Sequence, residues 1–260
     1  MRLAKITSAA LAAVLLVSAL AFAEDGLTGD EIVDQLKDDM ALTGSGYAVL
    51  DLITVNKKGE SRQHNLMLFR SDDGKTEKQL VEYLSPADVK GTKFLSILEE
   101  GADEAEMWLY LPALGKERRI AGHMTKGSFM GTDFTYEEIA GFGNYRDDYD
   151  AVRLADEELD GYMCYVLDLT PKSADVEYSR VRMWVWQAEM VPLKLQFFNR
   201  DGQLSKQLLL SDLRQDSEGR YMPYTITMSN ELAGTKSIIN ILEVHEEIDD
   251  SYFTLRYLRQ

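Results

Sequence analysis

Repeated turn chemistry constrains this chain more than any other feature. Short runs rich in apolar and β-branched residues are separated by tight polar turns such as Lys57-Lys58-Gly59-Glu60 and Asp72-Asp73-Gly74-Lys75. That spacing reads as antiparallel hairpins, which need no long crossover. Residues 47–55, 64–70, 79–84 and 92–98 form a first set. Residues 162–170, 178–187, 191–199, 203–213, 221–229 and 237–244 form a second, turned by segments such as Asn199-Arg200-Asp201-Gly202. With a strand opening at residue 107, the pattern predicts about 10–11 antiparallel strands in one mainly β domain, as a barrel, an open barrel or a sandwich.

Alternation assigns faces. Val181, Met183 and Val185 point one way, with Arg182, Trp184 and Trp186 opposite. Leu193, Leu195 and Phe197 likewise oppose Lys194, Gln196 and Phe198. The faces without charge are expected to look inward. The other faces still carry Trp184, Trp186 and Phe198, so a second cover is needed, and helices are expected to supply it. Thr28-Gly29-Asp30-Glu31 is a capping box, followed by Ile32, Val33, Leu36 and Met40 at helical spacing. An amphipathic helix is predicted over residues 29–41, closed by Gly44. A short helix or coil is predicted over residues 249–258.

The first 23 residues read as an export signal: Arg2 and Lys5, an apolar run too short to span a bilayer, then Ala21-Phe22-Ala23. Cleavage is expected after Ala23. No cysteine lies nearby, so the expectation is an unanchored, exported chain with one domain over residues 24–260. The formal net charge of −16 becomes about −18 once Arg2 and Lys5 are lost, which disfavours nucleic acid and anionic surfaces. Cys164 is the only cysteine, so no internal disulfide framework exists; its strand-like context suits a small buried hydrophobe.

Residues 107–139 stand apart. They read as an aromatic strand, a turn at Pro112 to Gly115, a basic segment from Lys116 to Arg119, and a glycine-punctuated loop bearing Phe129 and Met130 before a short helix. Three candidate chemistries find no frame here. His64, His123 and His245 are far apart and lack ligand spacing, so no metal site is expected. Gly127-Ser128-Phe129-Met130-Gly131 is not the G-x-S-x-G elbow, and nothing orients a Ser128–His123 pair. No phosphate loop or dinucleotide fingerprint occurs, and no cofactor is expected. The basic segment reads equally as a solvated hairpin edge or as a docking contact for an acidic partner. A curved sheet with an apolar face and 11 methionines suits a hydrophobic ligand, yet the same residues suit a filled core.

Leu109 to Leu114 (L-Y-L-P-A-L), Arg118 to Ile120 (R-R-I) and Gly127 to Ile139 (G-S-F-M-G-T-D-F-T-Y-E-E-I) resemble the outer-membrane lipoprotein-sorting protein family, the LolA-like group. Tyr83-Leu84-Ser85-Pro86 with Gly91-Thr92-Lys93-Phe94-Leu95 is similar to its strand-Pro-loop-Gly-strand pattern, and Met183-Trp184-Val185 with Val191-Pro192-Leu193-Lys194 to its W-V…P-x-K pair. The resemblance implies an incomplete antiparallel β-barrel with helices as a lid over an apolar cavity. It also implies a periplasmic carrier of lipid or lipoprotein acyl chains, working beside resistance-nodulation-division-type transporters. The cargo stays open among acylated lipoprotein, free lipid and another apolar molecule.

Taken together, the expected wall residues are Met107, Leu109, Leu111, Met183, Val185, Leu193, Leu195 and Phe197. Phe129, Met130 and Phe134 are expected at the lid or mouth, with glycines as hinges and Asp133 capping the helix that follows. Arg118 and Arg119 are expected to meet a partner or an anionic head group. The expected protein is a monomer that takes lipid or acylated lipoprotein from an inner-membrane donor to an outer-membrane acceptor, with no covalent chemistry and no catalytic residue. A periplasmic sensor binding a protein partner on the same fold, and an acyl hydrolase using Ser128 or His123, are the alternatives.

Overall fold

The computed structural model describes residues 26–39, 45–102, 104–141, 145–216 and 219–260. The signal segment, Met40 and Gly44 lie outside the described residues.

Fourteen strands pair into one antiparallel sheet. They are β1 (Gly46–Val55), β2 (Ser61–Asp72), β3 (Thr76–Ser85), β4 (Lys93–Glu99), β5 (Glu106–Leu111), β6 (Lys116–Ile120), β7 (Tyr149–Arg153), β8 (Glu157–Leu159), β9 (Tyr162–Pro171), β10 (Arg180–Trp186), β11 (Val191–Phe198), β12 (Leu204–Gln215), β13 (Tyr221–Asn230) and β14 (Thr235–His245). The order is β6-β5-β4-β3-β2-β1-β14-β13-β12-β11-β10-β9-β7, with β8 pairing β9 off this path. Sequential hairpins build both halves, and β1 pairs with β14 to join them. The path does not close, so the barrel is open, with β6 and β7 as its ends.

The strand count exceeds the sequence expectation. The additional strands are β6, β7 and β8, which are short and rich in charge, so they lack the apolar alternation that marks a strand.

Among the described residues the α-helices are α1 (Gly29–Asp39), α2 (Tyr136–Ala140), α3 (Tyr145–Asp148) and α4 (Leu255–Leu258). The α1 capping box forms as its residues predict: Thr28 N donates to Glu31 Oε2 at 2.8 Å and Glu31 N to Thr28 Oγ1 at 3.3 Å. The start of α1 also covers the β7 end of the sheet. Ala151 N donates to Asp30 Oδ1 at 3.0 Å, and Arg153 Nη1 to the Leu27 carbonyl at 3.1 Å. Gly29 is required there, since a Cβ would stand 2.3 Å from the Ala151 carbonyl oxygen.

The inner face carries one continuous apolar cluster drawn from nearly every strand, from Leu50 and Leu66 round to Met183, Leu195, Leu208 and Ile239. Ile32, Val33 and Leu36 of α1 pack into it, and Tyr136 and Ile139 of α2 lie against it. Two smaller clusters occupy the outer face. Over β2 to β4, Phe69, Leu80 and Leu95 are covered by Phe253 and Leu258 of the C-terminal segment. Over β9 to β11, Cys164, Val166 and Trp184 meet Leu154, Leu159 and Tyr162. This corrects the expectation that helices cover the second face. A helix does so only over β2 to β4, while the Trp184 side is covered by the β7–β8 connection and by β8 itself.

Candidate functional site

The site is built around residues 107–139. β5 and β6 form a hairpin whose turn starts at Pro112 and ends at Gly115, which takes a left-handed φ of 59°. Met107 and Leu109 enter the inner cluster, and Leu111 packs against it. Leu114, at the tip, is 64% exposed.

A hairpin-shaped plug follows, residues 125–135. Phe129 N donates to the Phe134 carbonyl at 2.8 Å. Ser128 Oγ donates to the Thr132 carbonyl at 2.6 Å, and Thr132 Oγ1 to the Phe129 carbonyl at 2.7 Å. Two left-handed residues, Met130 (φ 48°) and Gly131 (φ 81°), turn the loop. The closure aims Phe129 and Phe134 inward, where both are buried. Phe129 meets Phe94 and Tyr136, each at 5.4 Å between ring centroids, and Tyr83 at 6.3 Å. Met130 packs against the same cluster.

Polar groups hold the plug at both ends. The Asp133 carboxylate accepts from Thr235 Oγ1 and, at 2.7 Å, from Ser237 Oγ, while Asp133 N donates to Ser237 Oγ at 2.9 Å. The plug is thereby tied to β14. This corrects the helix-capping role expected of Asp133. The N-cap of α2 is Thr135, whose hydroxyl accepts from Glu138 N at 3.0 Å while the Glu138 carboxylate accepts from Thr135 N at 2.8 Å.

Glu138 also anchors α2 to the inner wall. Its carboxylate pairs with Lys206 Nζ at 3.2 Å, both side chains being largely buried, and accepts from Tyr178 OH at 2.7 Å. Burial, then the nearby Glu138 and Glu177 charges, pushes the Tyr178 hydroxyl far above its usual range. Burial also raises the Glu137, Asp148 and Glu177 carboxyls. The inner wall beside α2 is therefore a place where negative charge is costly.

The other expected wall residues fall on either side of a bulge. Met183, Val185, Leu195 and Phe197 are inside. Leu193 is outside, packed with Trp184 and Val191. The β10–β11 register passes from Trp184↔Lys194 to Val185↔Pro192, so Leu193 is the extra residue and alternation reverses there. Arg118 and Arg119 also separate, because neighbours in a strand face opposite ways. Arg118 Nη2 donates to Met124 Sδ at 3.1 Å, and Arg119 pairs with exposed Glu106 at 3.4 Å. Glu117, just before them, pairs with Arg259. His123 is exposed in the turn after β6.

Sequence reasoning missed Phe94, Tyr83 and Tyr136, which frame Phe129, and the inward polar groups Glu138, Lys206 and Tyr178. The signal for Lys206 was present: it shares parity along β12 with buried Leu208 and Leu210.

A family model described as "-like: Uncharacterized protein" matches residues 75–260. A domain assigned to outer membrane lipoprotein sorting from Vibrio parahaemolyticus has 28% identity and a TM-score of 0.80, covering 89% of this chain and 98% of its own. The chain belongs to the family of that model and shares the fold of this lipoprotein-sorting domain. A DUF1329 family protein from Desulfovibrio piger shows 27% identity and a TM-score of 0.80, over 88% of this chain and 97% of its own. A LolA superfamily protein from Nitrosomonas europaea shares the fold at 20% identity and a TM-score of 0.69, over 89% of this chain and all of its own (100%). No curated protein matches. Within this LolA-like frame the open barrel is as expected, while its interior is filled by the chain's own plug and α1. Among the described residues no helix is long and apolar enough to cross a membrane.

Proposed function

We propose that this protein is a periplasmic carrier that takes the acyl chains of a lipid or lipoprotein onto the inner face of its open barrel. The observation that carries the reading is the plug. The central rings of the interior, Phe129 and Phe134, come from a loop rather than from the wall, and the Asp133 bonds tie that loop to β14. A segment of this kind can be exchanged for a ligand while the sheet stays intact.

Magnitudes bound such an exchange. Burying two phenylalanines is worth roughly 3–6 kcal/mol in all, and a chain of about twelve methylenes roughly 10 kcal/mol against water. A chain leaving a bilayer is already buried, so its own transfer lies near zero and the displaced rings set a loading cost of up to roughly 3–6 kcal/mol. That cost works in reverse on release, when the plug returns to the barrel.

The relative from Vibrio parahaemolyticus, assigned to lipoprotein sorting, supports the same reading. In this account residues 24–260 work as one monomeric domain once residues 1–23 are removed. Loading is from an inner-membrane donor of the resistance-nodulation-division type, and delivery is to an outer-membrane acceptor. The protein does no covalent chemistry; the Ser128 hydroxyl is engaged in closing the plug.

The test is displacement of a fluorescent fatty-acid probe. Leu195→Asp, on the inner wall, is expected to abolish probe binding, while the exposed change Leu114→Ser leaves it intact. Circular dichroism shows whether each variant folds, and Phe129→Ala supplies an inner-face change that keeps the wall apolar and is expected to increase uptake. Equal probe binding by wild type and a folded Leu195→Asp variant, with no gain in Phe129→Ala, contradicts the assignment.

A further inference from the structure

Antiparallel order puts the β1–β2, β3–β4, β5–β6, β9–β10, β11–β12 and β13–β14 turns at one end of the barrel. The β2–β3, β4–β5, β10–β11 and β12–β13 turns lie at the other. At the first end, turns touch in series. Gly91 of the β3–β4 turn lies against Pro112 of the β5–β6 turn, where a Cβ would stand 3.3 Å from Pro112 Cγ. Asp88 of the β3–β4 turn pairs with Arg62 at the start of β2. Gly234 of the β13–β14 turn lies beside Lys57 of the β1–β2 turn, at 3.9 Å by the same measure. These turns form one continuous rim. The plug reaches it, since Gly131 lines a cavity there with Arg62, Thr235 and Lys236.

Two features single out the rim. The first is apolar: Leu114 is 64% exposed and Leu232 59%. Other strongly exposed apolar side chains, Val152, Met163 and Leu242, lie on β7, β9 and β14, whereas these two leucines stand at turn tips and reach beyond the sheet. The second feature is charge. Lys57, Lys58, Lys90, Lys116 and Lys236 are all exposed on the rim. Against them and Arg62 stand Glu60, Asp88, Asp133 and Glu231, so the rim keeps a small positive surplus. Glu117, beside Lys116, is matched by Arg259. The β9–β10 and β11–β12 turns complete this end close to balance, with Lys172 and Arg200 against Asp175, Glu177 and Asp201. The opposite end is acidic. It carries Glu100, Glu104, Glu189, Glu246 and Glu247 against Lys75 and Arg220, and Arg220 is already paired with Asp216.

We propose that this rim docks on an anionic bilayer, with Leu114 and Leu232 entering the interface and the lysines lying among the head groups. The formal net charge of −16 opposes approach by the molecule as a whole, but the two ends differ. The field of an anionic surface turns the acidic end away and brings the rim toward it. Lysine suits that position, because its methylenes bury while its ammonium stays with the head groups. The end of the barrel that holds the plug then faces the membrane, and an acyl chain passes between bilayer and inner face without crossing water. The inference deepens the carrier reading, on which its purpose rests, by naming the surface that meets the membrane and the orientation of the barrel on it.

Vesicle flotation of the mature chain tests it, with vesicles of phosphatidylglycerol and phosphatidylcholine in equal parts or of phosphatidylcholine alone. Wild type is expected to float with the mixed vesicles and to bind phosphatidylcholine alone about tenfold more weakly. The double change Leu114→Ser with Leu232→Ser is expected to weaken binding to mixed vesicles about tenfold, and Lys57→Glu with Lys58→Glu to a similar degree. Met163→Ser, on the wall, is expected to float as wild type does. All these variants are expected to keep the fluorescent fatty-acid probe, since none touches the inner face. No flotation by wild type, or a double-serine variant that floats equally well, overturns the docking rim, while retained probe binding leaves the carrier reading standing. Equal binding to phosphatidylcholine alone, or no loss in the double-glutamate variant, overturns the anionic bilayer as partner. Flotation as expected without probe binding overturns the carrier reading instead.

Discussion

Glu177 shows how single residues tune this wall. Burial raises its carboxyl pKa above the ordinary 4.5, Lys206 opposes the shift, and Glu138 and Glu137 add to it. The folded state therefore binds a proton at a higher pH than the unfolded chain does. Charged Glu177 costs stability at neutral pH, and the cost fades as pH falls through the raised value. Glu177→Gln is expected to raise the melting temperature at pH 7 by about 2 °C and to shrink the gain seen on moving to pH 5.5. An unchanged melting profile contradicts this. Asp168 behaves in the opposite way on the outer face. A two-bond pairing with Arg182, at 2.7 and 2.9 Å, lowers its pKa, so its contribution is present at neutral pH and is lost only in stronger acid, below its ordinary 3.8. The mild-acid window thus reports on the inner-wall carboxylates. At this scale the cap was missed although its signal was present: the expectation placed it on Asp133, while Thr135-Tyr136-Glu137-Glu138 has the spacing of a capping box. The contacts of Asp133 left no such signal, since its partners Thr235 and Ser237 lie about a hundred residues away in the chain and only the fold brings them together.

The plug and the bulge are what elements add. Phe129 sits among three rings, so Phe129→Ala is expected to cost roughly 3–5 kcal/mol of stability, read from denaturant midpoints, since a loop cannot easily collapse into the space left. A cost below about 1 kcal/mol means that Phe129 is not a packed plug. The β10–β11 bulge shows where periodicity stops informing. Alternation placed Leu195 and Phe197 correctly but failed at Leu193, because one extra residue reverses the face and nothing local marks it. The short strands failed for a different reason. Lys116 to Ile120 is mostly charged, and it is a strand because β5 pairs with it along Met107↔Ile120 to Leu111↔Lys116. Propensity gave way to tertiary pairing there.

Across the whole molecule, one sheet of fourteen strands curls around its own plug and α1. Its antiparallel order was readable because each hairpin carries its own turn signal, while the joining pair of β1 with β14 spans nearly the whole chain. The inner face was readable from charge-free parity. Whether that face is empty or filled was not, since the same methionines and leucines serve either state. The structure shows it filled by the plug and α1, and the proposed carrier role requires that filling to be exchangeable. Photolabelling tests that claim most directly, with a fatty acid carrying a diazirine at the chain end, irradiated on the mature protein and located by peptide mass spectrometry. The account predicts label on inner-face peptides containing Phe129, Met183 or Leu195, competed by unlabelled fatty acid. Label confined to the outer-face cluster around Trp184 and Leu193, or none that competitor removes, contradicts it.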